Sequence, residues 1–157
     1  MIDSLCDQAG GKDAAVLGLY CDFLAQKEQS PPSMLGAILK QLVSRGGIPE
    51  HIRQAFQKAK KEFGGRGLRL LDRVRLLRNT IAPLERVFIC IGALDESAPK
   101  HQRELLESLQ EIVQVSPNTQ ISPTGRPHID DEMVKFLARL LGHLLVLPKE
   151  ILRVIWK

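Results

Sequence analysis

The sequence predicts an α/β domain built on a parallel sheet. Two short apolar runs, at 14–23 and 86–92, are typical of buried strands because they are continuous and bounded by turn residues or charges. Segments with apolar residues at helical spacing lie between the strand candidates. Strands that alternate with helices along a chain indicate parallel pairing with helical crossovers.

The bulk composition fits one soluble domain without a prosthetic group. The chain has 157 residues, of which 44% are apolar and 25% charged. The net charge of +4 comes with only 4% aromatics, so we expect no nucleic-acid partner. Three widely spaced cysteines predict neither a disulfide framework nor a zinc site, and we expect no metal and no cofactor.

The compartment follows from the same features. Free cysteines favour a reducing interior, and the N-terminus "MIDSLCDQAGGKD" lacks the basic start of a signal peptide. No apolar window reaches the length of a membrane span. We therefore expect a cytoplasmic protein with no membrane attachment.

The first half of the chain reads as one strand followed by three helices. The run 14–20 is the strand, and Ser33 is predicted to cap a helix over 34–44. Pro49 marks the start of a helix over 50–63, with Ile52, Phe56, Ala59 and Phe63 on one face. An arginine-rich helix is predicted over 68–80.

The second half begins with the clearest strand, "RVFICIG" at 86–92. A strongly amphipathic helix follows over 99–114, and "TQIS" at 119–122 is a short strand candidate. The loop 123–127 leads to a mostly helical remainder broken at Pro148. We predict an α/β domain over 1–135 and a helical C-terminal extension over 136–157 packed on it.

The order of four blocks resembles a known family. They are "LGLYCDF", "MLGAILKQLVSRGGIPEHI", "RVFICIGALDES" and "SPTGRPHID". Together they look like the NACHT-type NTPase domain of fungal STAND (NOD-like) proteins, the group similar to the nephrocystin-3 N-terminal region, over roughly residues 2–135. The resemblance implies a three-layer, incomplete P-loop NTPase-like sheet of about three strands flanked by helices. It also implies that Asp95 and Glu96 match the last two acids of the Walker B motif, and that Thr124–Pro127 match the sensor segment.

Two departures from the family pattern predict that nucleotide chemistry is lost. The nearest phosphate-loop candidate, "CDQAGGKD" at 6–13, has Cys6 in place of the first glycine and Asp13 in place of the hydroxyl residue. Met1–Gln8 instead resembles the back half of the family's first helix. Gly92 stands where the family has its first Walker B aspartate, which helps to bind magnesium. We therefore expect neither nucleotide binding nor ATP or GTP hydrolysis, because phosphoryl transfer depends on positioning and charge neutralisation.

The candidate site residues follow from these matches. Asp95 and Glu96 are the catalytic candidates as a vestigial Walker B pair, and the alternative is that they cap the following helix. The binding candidates are Gly92, Thr124, Gly125, Arg126 and His128. Without a phosphate, Arg126 is expected to pair with Asp95, Glu96 or Asp130. A nucleophilic set of Cys21, His128 and Asp95 is a remote alternative, because nothing in the spacing demands it.

Three interpretations remain open from the sequence. The first is a degenerate, inactive NACHT/STAND-type domain that acts as a protein-interaction or signalling scaffold. Its partner, or a second copy of itself, would bind an exposed sheet edge at 119–122 or the C-terminal helix. The second is a remodelled scaffold with a small-molecule or enzymatic activity in the crevice at the strand ends. The third is a fragment of a longer protein, in which Gly92 would still impair magnesium binding.

Overall fold

A computed structural model of the chain describes residues 13–62, 64, 67–124 and 138. The predicted helical remainder over 129–157 and the candidates Gly125, Arg126 and His128 lie outside these residues. The described elements alternate along the chain: β1 (Ala14–Tyr20), a 3-10 helix (Phe23–Ala25), α1 (Pro31–Gly46), α2 (Glu50–Glu62), α3 (Leu70–Ile81), β2 (Arg86–Gly92), a second 3-10 helix (Leu94–Glu96), α4 (Pro99–Val115) and β3 (Thr119–Pro123).

The three strands form one parallel sheet in the order β1-β2-β3. β1 pairs with β2 so that Tyr20 lies opposite Gly92, and β2 pairs with β3 so that Ile89 lies opposite Ile121. This confirms the predicted α/β class, with a three-stranded parallel sheet flanked by helices. All three strands therefore end at the same edge of the sheet.

One face of the sheet carries the core. Leu17, Ile89, Ile91 and Ile121 are buried on this face and pack in one cluster with the helices. Both crossovers run in the same direction across the sheet, and right-handed crossovers then place the described helices on the same side. The opposite face includes Phe88, which is only half-buried. The third layer of the prediction would have to come from residues outside the described ranges.

The inward faces of the two longest helices follow their apolar spacing. In α4, the apolar spacing predicts that Leu105, Leu109, Ile112 and Val113 face inward, and all four are buried. In α1, the same spacing predicts Met34, Ile38 and Leu42, which are buried as well. Burial of each such side chain is worth roughly 1.5 to 3 kcal/mol relative to exposure, so these two helices supply much of the cohesion of the core.

Two details of the helices differ from the predictions. α1 begins at Pro31, with Ser30 rather than Ser33 in the cap position and without a side-chain cap bond. The reason is that proline fixes the backbone angle of a first helical residue and needs no N–H there. In α2, Ile52 and Ala59 are buried as predicted, but Phe56 is 45% exposed.

The arginine-rich helix α3 is not a fully solvated face. The apolar spacing predicts a stripe of Leu70, Val74, Leu77 and Ile81, of which the last three are buried and Leu70 is partly buried. The guanidinium of Arg73 lies against Gly36 of α1, at the place that a Cβ of residue 36 would occupy, and its Nε donates to the Leu68 carbonyl at 3.1 Å. Burial lowers the pKa of Arg73. The absence of a side chain at Gly36 therefore leaves room for Arg73 between α1 and α3.

Side chains bind the outer edge of β1. The Gln41 amide accepts a hydrogen bond from the Gly18 N–H at 2.9 Å and donates one to the Gly18 carbonyl at 2.6 Å, as a neighbouring peptide group would. Arg45 donates to the Ala14 carbonyl at 2.6 Å, and Gln29 donates to the Tyr20 carbonyl at 2.9 Å. These bonds occupy the edge at three of its outward-facing residues, so another strand cannot pair there without displacing them.

Within the part of the chain that the structure describes, no helix is long and apolar enough to cross a membrane.

Candidate functional site

The predicted site residues that the structure describes lie together at the carboxyl edge of the sheet. β1 ends at Tyr20, β2 at Gly92 and β3 at Pro123. Gly92, Asp95 and Glu96 follow from β2, and Thr124 follows from β3. In parallel sheets this edge is where ligand sites form.

Two backbone bonds join the end of β3 to the turn after β2. Leu94 donates its N–H to the Thr124 carbonyl at 2.9 Å, and Thr124 donates its N–H to the Ile91 carbonyl at 2.7 Å. The Thr124 hydroxyl also donates to the Ile91 carbonyl at 3.3 Å. The hydroxyl is thus used to hold the loop in place and is not directed toward a ligand.

Ala93 bends the chain sharply after β2. Its φ of 51° lies in the left-handed region, which a residue other than glycine rarely adopts. The bend lets Leu94 enter the core, where it is fully buried, and begins the 3-10 helix that carries Asp95 and Glu96. The strain is about 1 kcal/mol or more, and the burial of Leu94 offsets it.

The position of the missing Walker B aspartate is covered by an aromatic ring. A Cβ on residue 92 would lie 2.9 Å from Cδ2 of Tyr20, which is closer than a real Cβ contact allows. Tyr20 is the register partner of Gly92 on β1, and its side chain lies over the glycine while remaining 67% exposed. The Tyr20 ring can therefore occupy this position because residue 92 has no side chain. No local sequence pattern indicates this contact, because residues 20 and 92 are 72 positions apart and meet only through the register of β1 and β2.

Cys21 is fully buried next to two carboxylates. Its N–H donates to the Gly92 carbonyl at 2.9 Å. Burial, together with the negative charges of Asp95 and Glu96, raises the pKa of the Cys21 thiol to about 11. A nucleophilic cysteine needs the opposite shift, so this thiol stays protonated and inert at neutral pH. The set of Cys21, His128 and Asp95 is disfavoured on this ground, and His128 lies outside the described residues.

Glu96 links the turn after β2 to the loop after β1. Its Oε2 accepts from the Phe23 N–H at 3.4 Å, and its carbonyl accepts from Nε2 of Gln26 at 2.7 Å. Asp95 and Glu96 lie in the 3-10 helix before α4, whose cap position is held by Ala98 without a side-chain bond, so the alternative that the two acids cap this helix stays a prediction. Glu96 joins two loops at the carboxyl edge.

The sequence also missed two polar groups next to this turn. Ser97 is 2% exposed, and its hydroxyl has no hydrogen-bond partner among the described residues, while its carbonyl accepts from Nε2 of Gln102 at 2.6 Å. His101 Nδ1 is also buried, and no described residue bonds it. No sequence signal distinguished these residues, since a serine and a histidine near a helix start are common capping and surface residues. Over the described ranges, no three His, Cys, Asp or Glu side chains are grouped so that they could hold a metal ion.

The family assignment rests on a match to most of the chain. The family model described as nephrocystin 3, N-terminal, matches residues 1–126. The chain belongs to this family. The match spans β1, β2, β3 and all four described helices, and it reaches the first residues of the segment after β3. Neither the curated proteins nor the solved structures gave a match.

Proposed function

We propose that this member of the nephrocystin-3 N-terminal family is a catalytically inactive NACHT/STAND-type domain that acts through protein contacts. The observation that carries the proposal is the ring of Tyr20 over Gly92. In the NACHT-type domains that the chain resembles, the first Walker B acid stands at the position of residue 92 and projects toward magnesium. Here that direction is closed to any side chain unless the ring moves.

The surrounding groups support the loss of nucleotide chemistry. Burial and then the negative charges of Asp95 and Glu96 raise the pKa of the Cys21 thiol, so these carboxylates lie near the end of β1. Carboxylates without a metal repel a triphosphate, and the chain has no Gly-Lys-Ser/Thr sequence to cradle one. What remains at the carboxyl edge is a set of loops tied to one another. Cys21 and Cys90 are buried as thiols rather than as a disulfide, which suits the intracellular setting proposed for such a domain.

Calorimetric titration of the whole chain tests this part of the proposal. Mg²⁺-ATP and Mg²⁺-GTP should give no binding heat and no phosphate release above background. Magnesium-dependent binding with a dissociation constant in the micromolar range, on the order of −8 kcal/mol, would contradict it. Any heat that needs no magnesium would instead support the remodelled small-molecule site at Gly92, Asp95, Glu96 and Thr124.

The surface we assign to the partner is the outer edge of β3. Val87 donates its N–H to the Asn118 carbonyl, and Thr124 donates to Ile91, so the even-numbered residues of this segment face β2. Thr119, Ile121 and Pro123 therefore direct their backbone groups away from the sheet. No described residue bonds the Ile121 N–H or the carbonyls of these three residues, while the Thr119 N–H is satisfied by Ser116 at 3.0 Å.

The kind of partner follows from the count of donors and acceptors. The β3 edge offers three carbonyls but one N–H, because Pro123 has none and the Thr119 N–H is occupied. Two copies of this edge facing each other would leave carbonyls opposite carbonyls. An extended segment of another protein, with its own N–H groups, fits better and would be added to the sheet as a fourth strand.

Selection of binding peptides from a random library, followed by hydrogen exchange of the complexes, tests this surface. We expect extended peptides whose binding slows exchange of the Ile121 amide. The variant Ile121→Pro removes only the outward N–H from the hydrogen-bonding pattern and should abolish binding, whereas Ile121→Val should retain it. β3 would not be the binding edge if the peptides slowed the exchange of amides other than Ile121 and bound Ile121→Pro as well as they bind the wild-type protein.

A further inference from the structure

Three exposed apolar residues lie within five positions of one another along the chain, at the end of β1. Tyr20 and Phe23 are each 67% exposed and Leu24 is 91% exposed. We call these three residues the aromatic corner. The other large exposed apolar residues of the described part are Ile48, Phe56, Leu71 and Val115, which are spread over separate elements. Adjoining apolar groups of this size indicate a surface that binds something.

The aromatic corner is held in a fixed shape. Asp22 caps the 3-10 helix by accepting from the Leu24 N–H at 2.9 Å, and Gln29 accepts from the Asp22 N–H at 2.9 Å. Gln26 bonds the Glu96 carbonyl, which fastens the same loop to β2. A surface that is already ordered loses little conformational entropy on binding. Its exposure is therefore not a sign of a loosely held loop.

The charges beside the aromatic corner are mainly negative. Asp22 and Glu28 lie in the same loop, with Lys27 as its one cation, and Glu96 contacts the Phe23 N–H from the neighbouring turn. The other exposed aromatic residue of the described part, Phe56, lies in α2, where four cations outnumber Glu50 and Glu62. Leu71 lies beside Asp72, with three arginines at positions 69, 73 and 75. A basic apolar ligand is thus attracted to the aromatic corner and repelled from these other two places.

One segment of this chain has the complementary chemistry. Residues 149–157, "KEILRVIWK", carry Lys149, Arg153 and Lys157 against one carboxylate, together with five large apolar residues. β3 ends at the same edge of the sheet as β1, about 10 Å away across two strand spacings. The 24 residues from 125 to 148 span about 36 Å even as a helix, which exceeds this distance.

We propose that residues 149–157 bind the aromatic corner within the same molecule. The apolar side chains of the segment would cover Tyr20, Phe23 and Leu24, and its cations would lie toward Asp22, Glu28 and Glu96. The contact is independent of the β3 edge and of any nucleotide. It closes the chain back onto the carboxyl edge of the sheet.

The chain carries its own pair of probes for this contact. It has one tyrosine, Tyr20, in the aromatic corner, and one tryptophan, Trp156, in the segment. Energy transfer from Tyr20 to Trp156 therefore reports their separation in the unmodified full-length protein. We expect efficient transfer, a blue-shifted Trp156 emission, and no change of either on dilution.

Two variants and a matched control complete the test. Phe23→Ser with Leu24→Ser should restore Tyr20 emission and shift Trp156 emission to the red. Arg153→Glu should do the same from the side of the segment, and more strongly at low salt. Leu71→Ser removes an equally exposed side chain from a basic surrounding and should change neither signal, with circular dichroism confirming the fold of each variant.

Three results would overturn the proposal. Absence of transfer in the wild-type chain would show that the segment lies elsewhere. Transfer that persists in both the corner and the segment variants would mean that other contacts bring Trp156 near Tyr20. Transfer that disappears on dilution would assign the contact to a second copy of the chain.

Discussion

Gly92 and Tyr20 face each other across two strands, and each explains the other. We expect Gly92→Ala to lower the free energy of unfolding by about 1 to 3 kcal/mol, because the new methyl group meets the Tyr20 ring. Urea denaturation measures this. In a Tyr20→Ala background the same change should cost much less, so a double-mutant cycle isolates the contact.

Gly18 provides the matched control for this prediction. It lies on the same face of β1, where a Cβ would meet nothing within 4 Å. Gly18→Ala should therefore be neutral or stabilising by up to about 1 kcal/mol, since it only restricts the unfolded chain. Equal losses at residues 18 and 92 would mean that Tyr20 does not occupy the space over Gly92.

Because of Cys21, the stability of the protein should vary with pH in the alkaline range. The folded-state pKa of Cys21, about 11, lies above the value of 9.0 for an ordinary thiol. The unfolded chain therefore releases this proton first, so the stabilisation is complete below pH 9.0 and is lost as pH rises toward about 11. We expect a loss on the order of 1 kcal/mol across this window. Denaturation of wild type and Cys21→Ala at pH about 8 and about 10 checks it, and equal declines in both proteins would exclude Cys21 as the cause.

Among the elements, the strands were accessible from the sequence, and the helix starts were less so. The run 86–92 and the amphipathic spacing of 99–114 depend on apolar periodicity, which burial enforces directly. The start of α1 at Pro31 was missed because two prolines resemble a loop until the following turn shows that they open a helix. The link from Glu96 to Phe23 was missed for another reason. It joins residues 73 positions apart, and no local pattern encodes such a bond.

At the same scale, Gln41 is the residue of α1 that closes the edge of β1. Gln41→Ala removes both bonds to Gly18, so no described residue bonds the outward N–H and carbonyl of Gly18. We expect a loss of about 1 to 3 kcal/mol in the free energy of unfolding. Lys40→Ala, at an exposed position one residue earlier on the helix, is the control and should change stability by less than about 0.5 kcal/mol. Similar losses in both variants would show that the Gln41 clamp contributes nothing specific.

For the whole molecule, the two edges of the sheet decide how copies of the chain interact. β1 is occupied by side chains, and no described residue bonds the outward carbonyls of β3, so the two edges do not match each other or themselves. If the β1 edge of one copy were released, it could pair with the β3 edge of a neighbouring copy; this head-to-tail contact does not close and grows into a chain of molecules. The side chains of Gln41, Arg45 and Gln29 prevent this by occupying the β1 edge, and Gln41 makes both bonds to Gly18.

The resulting prediction concerns association state against concentration. Wild type should remain monomeric in light scattering over a wide concentration range. Gln41→Ala should form species that keep growing with concentration, because the Gly18 N–H and carbonyl become available to the β3 edge of the next molecule. Adding Ile121→Pro to Gln41→Ala removes the only N–H that β3 offers outward and should slow this growth. A wild-type dimer, or growth of the Gln41→Ala protein that Ile121→Pro does not change, would show that these edges do not govern association.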